Sequence, residues 1–179
     1  MSGAATNGVI KTDRLVLRRP KLDDVAAVAT LLHDPEVMEW LGGVVDDPLP
    51  VVRRWLDEWK TYPTGKFVVE RLDGAFVGRV GLNYLDPVTW ARSTAHDAQP
   101  ELGWAVAREH WGRGYATEAA SAVRAWAAQP RLVSVIEPAN SRSIRVAEKL
   151  GCTRTDEVAI IGGVACEVWL HPPESRPSG

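Results

Sequence analysis

The chain has 179 residues, of which 45% are hydrophobic and 25% charged, and 21 Lys and Arg against 23 Asp and Glu give a formal net charge of −2. That length suits one hydrophobic core rather than two, and the composition belongs to soluble globular proteins, which excludes disorder and fibrous repeats. The scattered, near-neutral charge offers no basic field for nucleic acid, and no apolar run approaches the roughly 20 residues of a membrane span.

Residues 1–8 are small and polar, and residues 172–179 are rich in Pro and Ser; both read as tails around a single domain at 9–171. The first ten residues lack the basic start and apolar stretch of a signal peptide. Cys152 and Cys166 have neither CxxC spacing nor a nearby histidine pair, so the reading is a reducing cytoplasm with no zinc and no disulfide.

In chain order, Leu15 and Leu17 alternate within Arg14 to Arg18 and predict a first strand, and Leu22, Val25, Ala26, Ala29 and Leu32 follow at helical spacing. Val52, Trp55, Leu56 and Trp59 predict a second amphipathic helix, which Pro63 and Gly65 end before a strand at 66–71. Trp55 and Trp59 lie on one face of that helix, the spacing of a pair that packs against a core. Asp73-Gly74 is a hairpin turn into a strand at 75–82, and the polar stretch 83–99, interrupted by Pro87, reads as an excursion loop. A fourth strand at 101–107, a helix at 117–128 and a fifth strand at 132–136 come next. Asn140 caps a helix that Gly151 ends, and strands 153–161 and 164–170 close the chain as a hairpin around Gly162-Gly163.

The most informative stretch joins the fourth strand to the next helix. Gly112, Gly114 and Ala116 alternate there, so backbone N–H groups can approach a ligand closely, and the first helical turn adds unpaired donors and partial positive charge. A phosphate suits such a site. A P-loop is excluded because Tyr115 and Ala116, not Lys and Ser or Thr, follow Gly114. A dinucleotide-binding finger fits poorly, with Thr117 at its third glycine and four bulky residues, Arg108 to Trp111, ahead of the glycines.

Trp111-Gly112-Arg113-Gly114-Tyr115-Ala116 resembles motif A of the GNAT acetyltransferase superfamily: Gln or Arg, two variable residues, Gly, a variable residue, then Gly or Ala. Trp111 departs from it at the first position. The Glu-Leu-Gly-Trp strand at 101–104, the Ala-Thr-Glu-Ala helix start at 116–119, the run Pro138 to Gly151 and the opening Thr12 to Arg18 are similar to the ribosomal-protein alanine acetyltransferase branch. The resemblance implies an α+β, three-layer α/β fold: a mixed, mostly antiparallel sheet of about seven strands, splayed between the fourth and fifth and flanked by about four helices.

It also implies an acetyl-CoA-dependent N-acetyltransferase that uses the coenzyme as cosubstrate and needs no metal. The pantetheine arm would bond to backbone groups of Trp104, Ala105 and Val106, and the pyrophosphate would rest on N–H groups from Gly112 through Tyr115 and Ala116 to Thr117, with Arg113 adding charge. The implied oxyanion donor is the Val106 N–H. Many relatives carry a tyrosine seven residues after the asparagine as thiolate acid, where this chain has Ala147; Ser143 takes that role or is a solvated first-turn serine. Asn140 bonds the coenzyme, caps the helix, or does both. Glu101 and Glu137 are candidate bases, directly or through water, with an ordinary solvated or paired carboxylate as the alternative for each and His96 as a third candidate. Cys152 and Cys166 read as small buried hydrophobes rather than nucleophiles. The acceptor is a protein N-terminus or a small-molecule amine, and a homodimer is common among relatives. A non-catalytic acyl-CoA sensor is the competing function.

Overall fold

The computed structural model describes residues 8–173. The expected tails lie outside them except for Gly8, Pro172 and Pro173. The elements in chain order are β1 (Val9–Lys11), β2 (Leu15–Arg18), α1 (Val25–Leu32), α2 (Pro35–Met38), α3 (Leu49–Thr61), β3 (Lys66–Arg71), β4 (Phe76–Leu85), β5 (Gln99–Val106), α4 (Tyr115–Ala127), β6 (Val133–Ile136), α5 (Ser141–Lys149), β7 (Thr153–Ile161) and β8 (Val164–Leu170). The mixed α/β class holds, with eight strands and five helices among the described residues instead of about seven and about four.

The additions are short. β1 pairs Val9 to Lys11 with Arg18 to Val16, three residues that carry no readable period. α2 is a single turn started by Pro35 and capped by the Asp34 carboxylate, which accepts the Glu36 and Val37 N–H groups at 3.0 and 3.4 Å. β4 runs to Leu85, three residues past the expected end, because Asn83, Tyr84 and Leu85 find register partners in Glu101, Pro100 and Gln99.

One sheet joins all the strands in the order β1-β2-β3-β4-β5-β6-β8-β7, antiparallel everywhere except between β5 and β6. On one face Leu15, Leu17, Phe67, Val80, Leu82 and Leu102 pack against Ala119, Ala120 and Val123 of α4; the alanines allow close approach of helix to sheet. On the other, Leu31 and Val37 cover Ala105 and Ala107, and α1 and α3 meet through Val28, Leu32, Val52 and Trp55. Trp59 is also a packing residue: its ring stands edge-on to Phe67 at 4.9 Å, and Nε1 donates to Lys66 O at 2.7 Å.

The crossover through α4 makes β5 and β6 parallel neighbours, yet they share only the pair Glu101 and Val133 before parting. β5 keeps eight register pairs with β4 on its other side. Ala107 N–H donates to Val77 O at 2.8 Å, and strand alternation then turns the Val106 and Trp104 N–H groups toward the opened side.

Candidate active site

Two cavities meet at this opening. The smaller, about 300 Å³, lies between the end of β5, the start of α4 and the face of α5. Trp104, Ala105, Val106, Gly112, Gly114, Tyr115, Ala116, Thr117, Asn140 and Ser143 line it, while Arg113 is exposed and outside its wall. The larger, about 840 Å³, lies beyond Trp104 and includes Glu101 and Glu137. Both cavities are bordered by Trp40, Leu41, Trp104, Asn140 and Ser143.

The loop before α4 has the conformation an anion cradle needs. Gly112 and Gly114 adopt φ of +74° and +80°, left-handed values that side chains disfavour. A Cβ on Gly112 would meet nothing within 4 Å, and the nearest atom to one on Gly114 would be Arg14 Nη2 at 3.5 Å, so the backbone lies open. Glu118 N–H donates to Gly114 O at 3.0 Å, which leaves the N–H groups of Tyr115 to Thr117 ahead of the helical ladder.

The opening segment of the chain clamps this loop. Glu118 Oε1 accepts from Thr12 Oγ1 at 2.6 Å and from Arg14 N at 3.0 Å, while Oε2 accepts from Arg14 Nε at 2.7 Å. Arg14 Nη1 donates to Arg113 O at 2.9 Å, and its guanidinium sits 4.8 Å over the Tyr115 ring. Burial works against the Glu118 charge, but the bonds from Thr12 and Arg14 outweigh it and hold this carboxyl below the usual glutamate range.

Trp111, the departure from motif A, is accounted for by its contacts. Its Nε1 donates to Val106 O at 2.7 Å, and the Arg142 guanidinium from α5 lies 4.0 Å over its ring. Both side chains border the smaller cavity, so a cation returns to this corner from another element. The Ala105 carbonyl, by contrast, faces β4: a Cβ on Gly78 would fall 2.1 Å from it. The backbone groups turned toward the opening are therefore those of Trp104 and Val106.

On α5, Asn140 Oδ1 accepts the Ser143 N–H at 3.1 Å, so the asparagine is a helix cap within the wall of both cavities. Half-buried Ser143 faces the junction, whereas Ala147, at the relatives' tyrosine position, is buried against Ile136 and Trp169.

Glu101 is buried, and its Oε2 accepts from Asn83 Nδ2 at 2.5 Å. Asn83 Oδ1 in turn accepts from Lys66 Nζ at 2.6 Å, which also donates to Leu82 O at 2.6 Å and lies 3.6 Å from Glu58. Burial pushes the Lys66 ammonium down to about 7, against the pull of Glu58. Gly81 and Gly103 face each other in register, and their missing side chains make the floor over which Lys66, Arg79, Asn83 and Glu101 fold.

Several of these residues were beyond sequence reading. Arg79 alternates with buried Val80 and Leu82, the ordinary pattern of an outward strand face, and Asn83 falls in the expected loop 83–99 rather than in β4. The loop at 86–98 supplies Trp90 to the larger cavity at a left-handed φ of +59°, unusual for a bulky residue, with Trp90 N–H donating to Asp86 O at 2.9 Å. His96 is exposed and lines neither cavity. Cys166 is buried as expected; Cys152 is half-buried, and burial pushes its thiol up to about 11, opposite to the activation of a nucleophile.

Comparison with known proteins agrees with this architecture. The family described as acetyltransferase (GNAT) domain matches residues 14–153. The protein YkkB of Bacillus subtilis (strain 168) is 34% identical over 151 residues, which cover 78% of this chain and 82% of YkkB. The crystal structure of an acetyltransferase from Agrobacterium tumefaciens str. C58 superposes with a TM-score of 0.79 at 27% identity, covering 96% of this chain and 98% of that one. The microcin C7 self-immunity acetyltransferase MccE, solved with acetyl-CoA and AMP, shares the fold with a TM-score of 0.72 at 15% identity, covering 93% and 96% of the respective chains. The chain belongs to the GNAT acetyltransferase family and is an N-acetyltransferase.

Proposed function

We propose that the protein transfers an acetyl group from acetyl-CoA directly to a primary amine, with both substrates bound together. The observation that carries this reading is the meeting of two cavities at parted strands: one ends on the glycine-lined donors of α4, the other on the Glu101 carboxylate. The family uses acetyl-CoA, and the smaller cavity suits it. Gly112 to Thr117 offer backbone donors to a diphosphate, Arg142 adds a cation, and Trp104 and Val106 offer main-chain groups to an amide-bearing arm.

In the reaction, the amine nitrogen bonds to the acetyl carbonyl carbon and the carbon–sulfur bond breaks. The Val106 N–H steadies the negative charge that develops on the carbonyl oxygen. Glu101, directly or through a water, takes the proton the amine loses, and the Ser143 hydroxyl supplies one to the departing thiolate. Two substrates held at one junction need no acyl-enzyme, and the half-buried Cys152, its thiol pushed up to about 11, would make a poor nucleophile.

Calorimetry with acetyl-CoA, together with release of free thiol in the presence of amines, tests the reading. Heat and amine-dependent thiol release are expected, and Gly114→Trp, which places a bulky side chain on a left-handed backbone at the cradle, abolishes both. Coenzyme heat without thiol release from any amine would leave only a non-catalytic acyl-CoA binder; no heat at all would remove the coenzyme assignment.

A further inference from the structure

We propose that the acceptor is a zwitterion, a small molecule carrying a primary amine and a carboxylate close together in the manner of a free α-amino acid. The inference rests on the acetyltransferase reading and deepens it. Two opposite charges stand at one gap in the wall of the larger cavity. Arg79 Nη1 lies 3.3 Å, and the two Glu101 carboxylate oxygens 3.5 Å, from the point a Gly103 Cβ would occupy. They do not neutralise each other by contact: among the described residues no ion pair within 4.0 Å joins Arg79 to Glu101, and Arg79 Nη1 is a buried donor without a hydrogen-bond partner.

A buried guanidinium N–H without an acceptor is costly, and a ligand carboxylate is the group that fits its planar fork best. Glu101 differs in kind. Its Oε2 is held by Asn83, so its free capacity is as an acceptor aimed at the same gap, the place for an ammonium. A molecule whose ammonium and carboxylate groups sit on one carbon can offer one charge to each residue; a polyamine would set a second cation against Arg79, and a peptide N-terminus would leave the guanidinium facing a neutral carbonyl. Across the cavity, Leu85, Trp90, Ile160 and Val164 form an apolar wall suited to a hydrocarbon side chain.

The test compares leucine, leucinamide, a peptide beginning with leucine, and spermidine in the thiol-release assay with the full chain. Leucine should exceed leucinamide and the peptide by about tenfold or more in kcat/KM, since a site built for a hydrogen-bonding group penalises its loss strongly. Spermidine should be the poorest. Arg79→Met should bring leucine and leucinamide to within about threefold of each other, and Gly103→Ala, which fills the gap without altering charge, should raise KM for leucine while acetyl-CoA heat persists. Leucinamide or the peptide matching leucine in the unaltered protein, a comparison that needs no variant, overturns the zwitterion assignment and leaves acetyl transfer standing. No turnover of any amine despite coenzyme heat strikes the transfer reading instead.

Discussion

At the scale of single residues, the chemistry falls on groups whose partners decide their roles. Ser143 lies on the first turn of α5 at the junction of the cavities, with its N–H fixed by Asn140. Ser143→Ala is therefore expected to lower kcat by about tenfold or more while the calorimetric affinity for acetyl-CoA stays within about twofold, because a proton donor to the leaving thiolate acts after binding. Unchanged turnover would remove Ser143 from the mechanism. The positions of Gly112, Gly114, Asn140, Ser143 and Glu101 were legible because each follows a local signal: a turn, a cap or a strand end. Arg79 was not. A charged residue alternating with Val80 and Leu82 is the ordinary pattern of a solvated strand face, and only the cross-strand glycines Gly81 and Gly103, together with Lys66, make that face a polar pit.

At the scale of elements, the anion loop depends on a segment about a hundred residues earlier. Glu118 gathers the hydroxyl of Thr12 and the backbone and guanidinium of Arg14, and Arg14 also holds the Arg113 carbonyl. Glu118→Gln loses the charge in these bonds. It should cost about 1–2 kcal/mol of stability, read by denaturant melts, and weaken acetyl-CoA binding about tenfold, read by calorimetry. A variant that binds the coenzyme normally would show that the loop holds its shape unaided. The helices and strands themselves were readable from period and punctuation, and the hairpin 153–161/164–170 appears with the same bounds. What period could not register were β1 and α2, at three and four residues each too short to show a repeat more than once.

At the scale of the whole molecule, one buried histidine ties stability to pH. Ser134 Oγ donates to Leu102 O at 2.6 Å, so it accepts from His171 Nε2 at 2.9 Å, and Nδ1 is left to accept from the Cys152 thiol at 3.3 Å. Burial pushes His171 from 6.5 down to about 4. Between those values the unfolded chain takes up a proton that the folded chain refuses, so stability is full well above pH 6.5 and falls as the pH drops toward 4, by about 3 kcal/mol. His171→Leu should flatten the fall in melting temperature across that window; an unaltered slope would assign the acid sensitivity elsewhere. This coupling was hidden in the sequence, where Ser134, Cys152 and His171 belong to three separate elements or their ends. Finally, β5 and β6 touch at a single rung, so five strands on one side and three on the other are stitched along a seam that the main chain leaves nearly unsewn. Shear between the two halves is expected to concentrate there, and a ligand bonded to both margins should resist it.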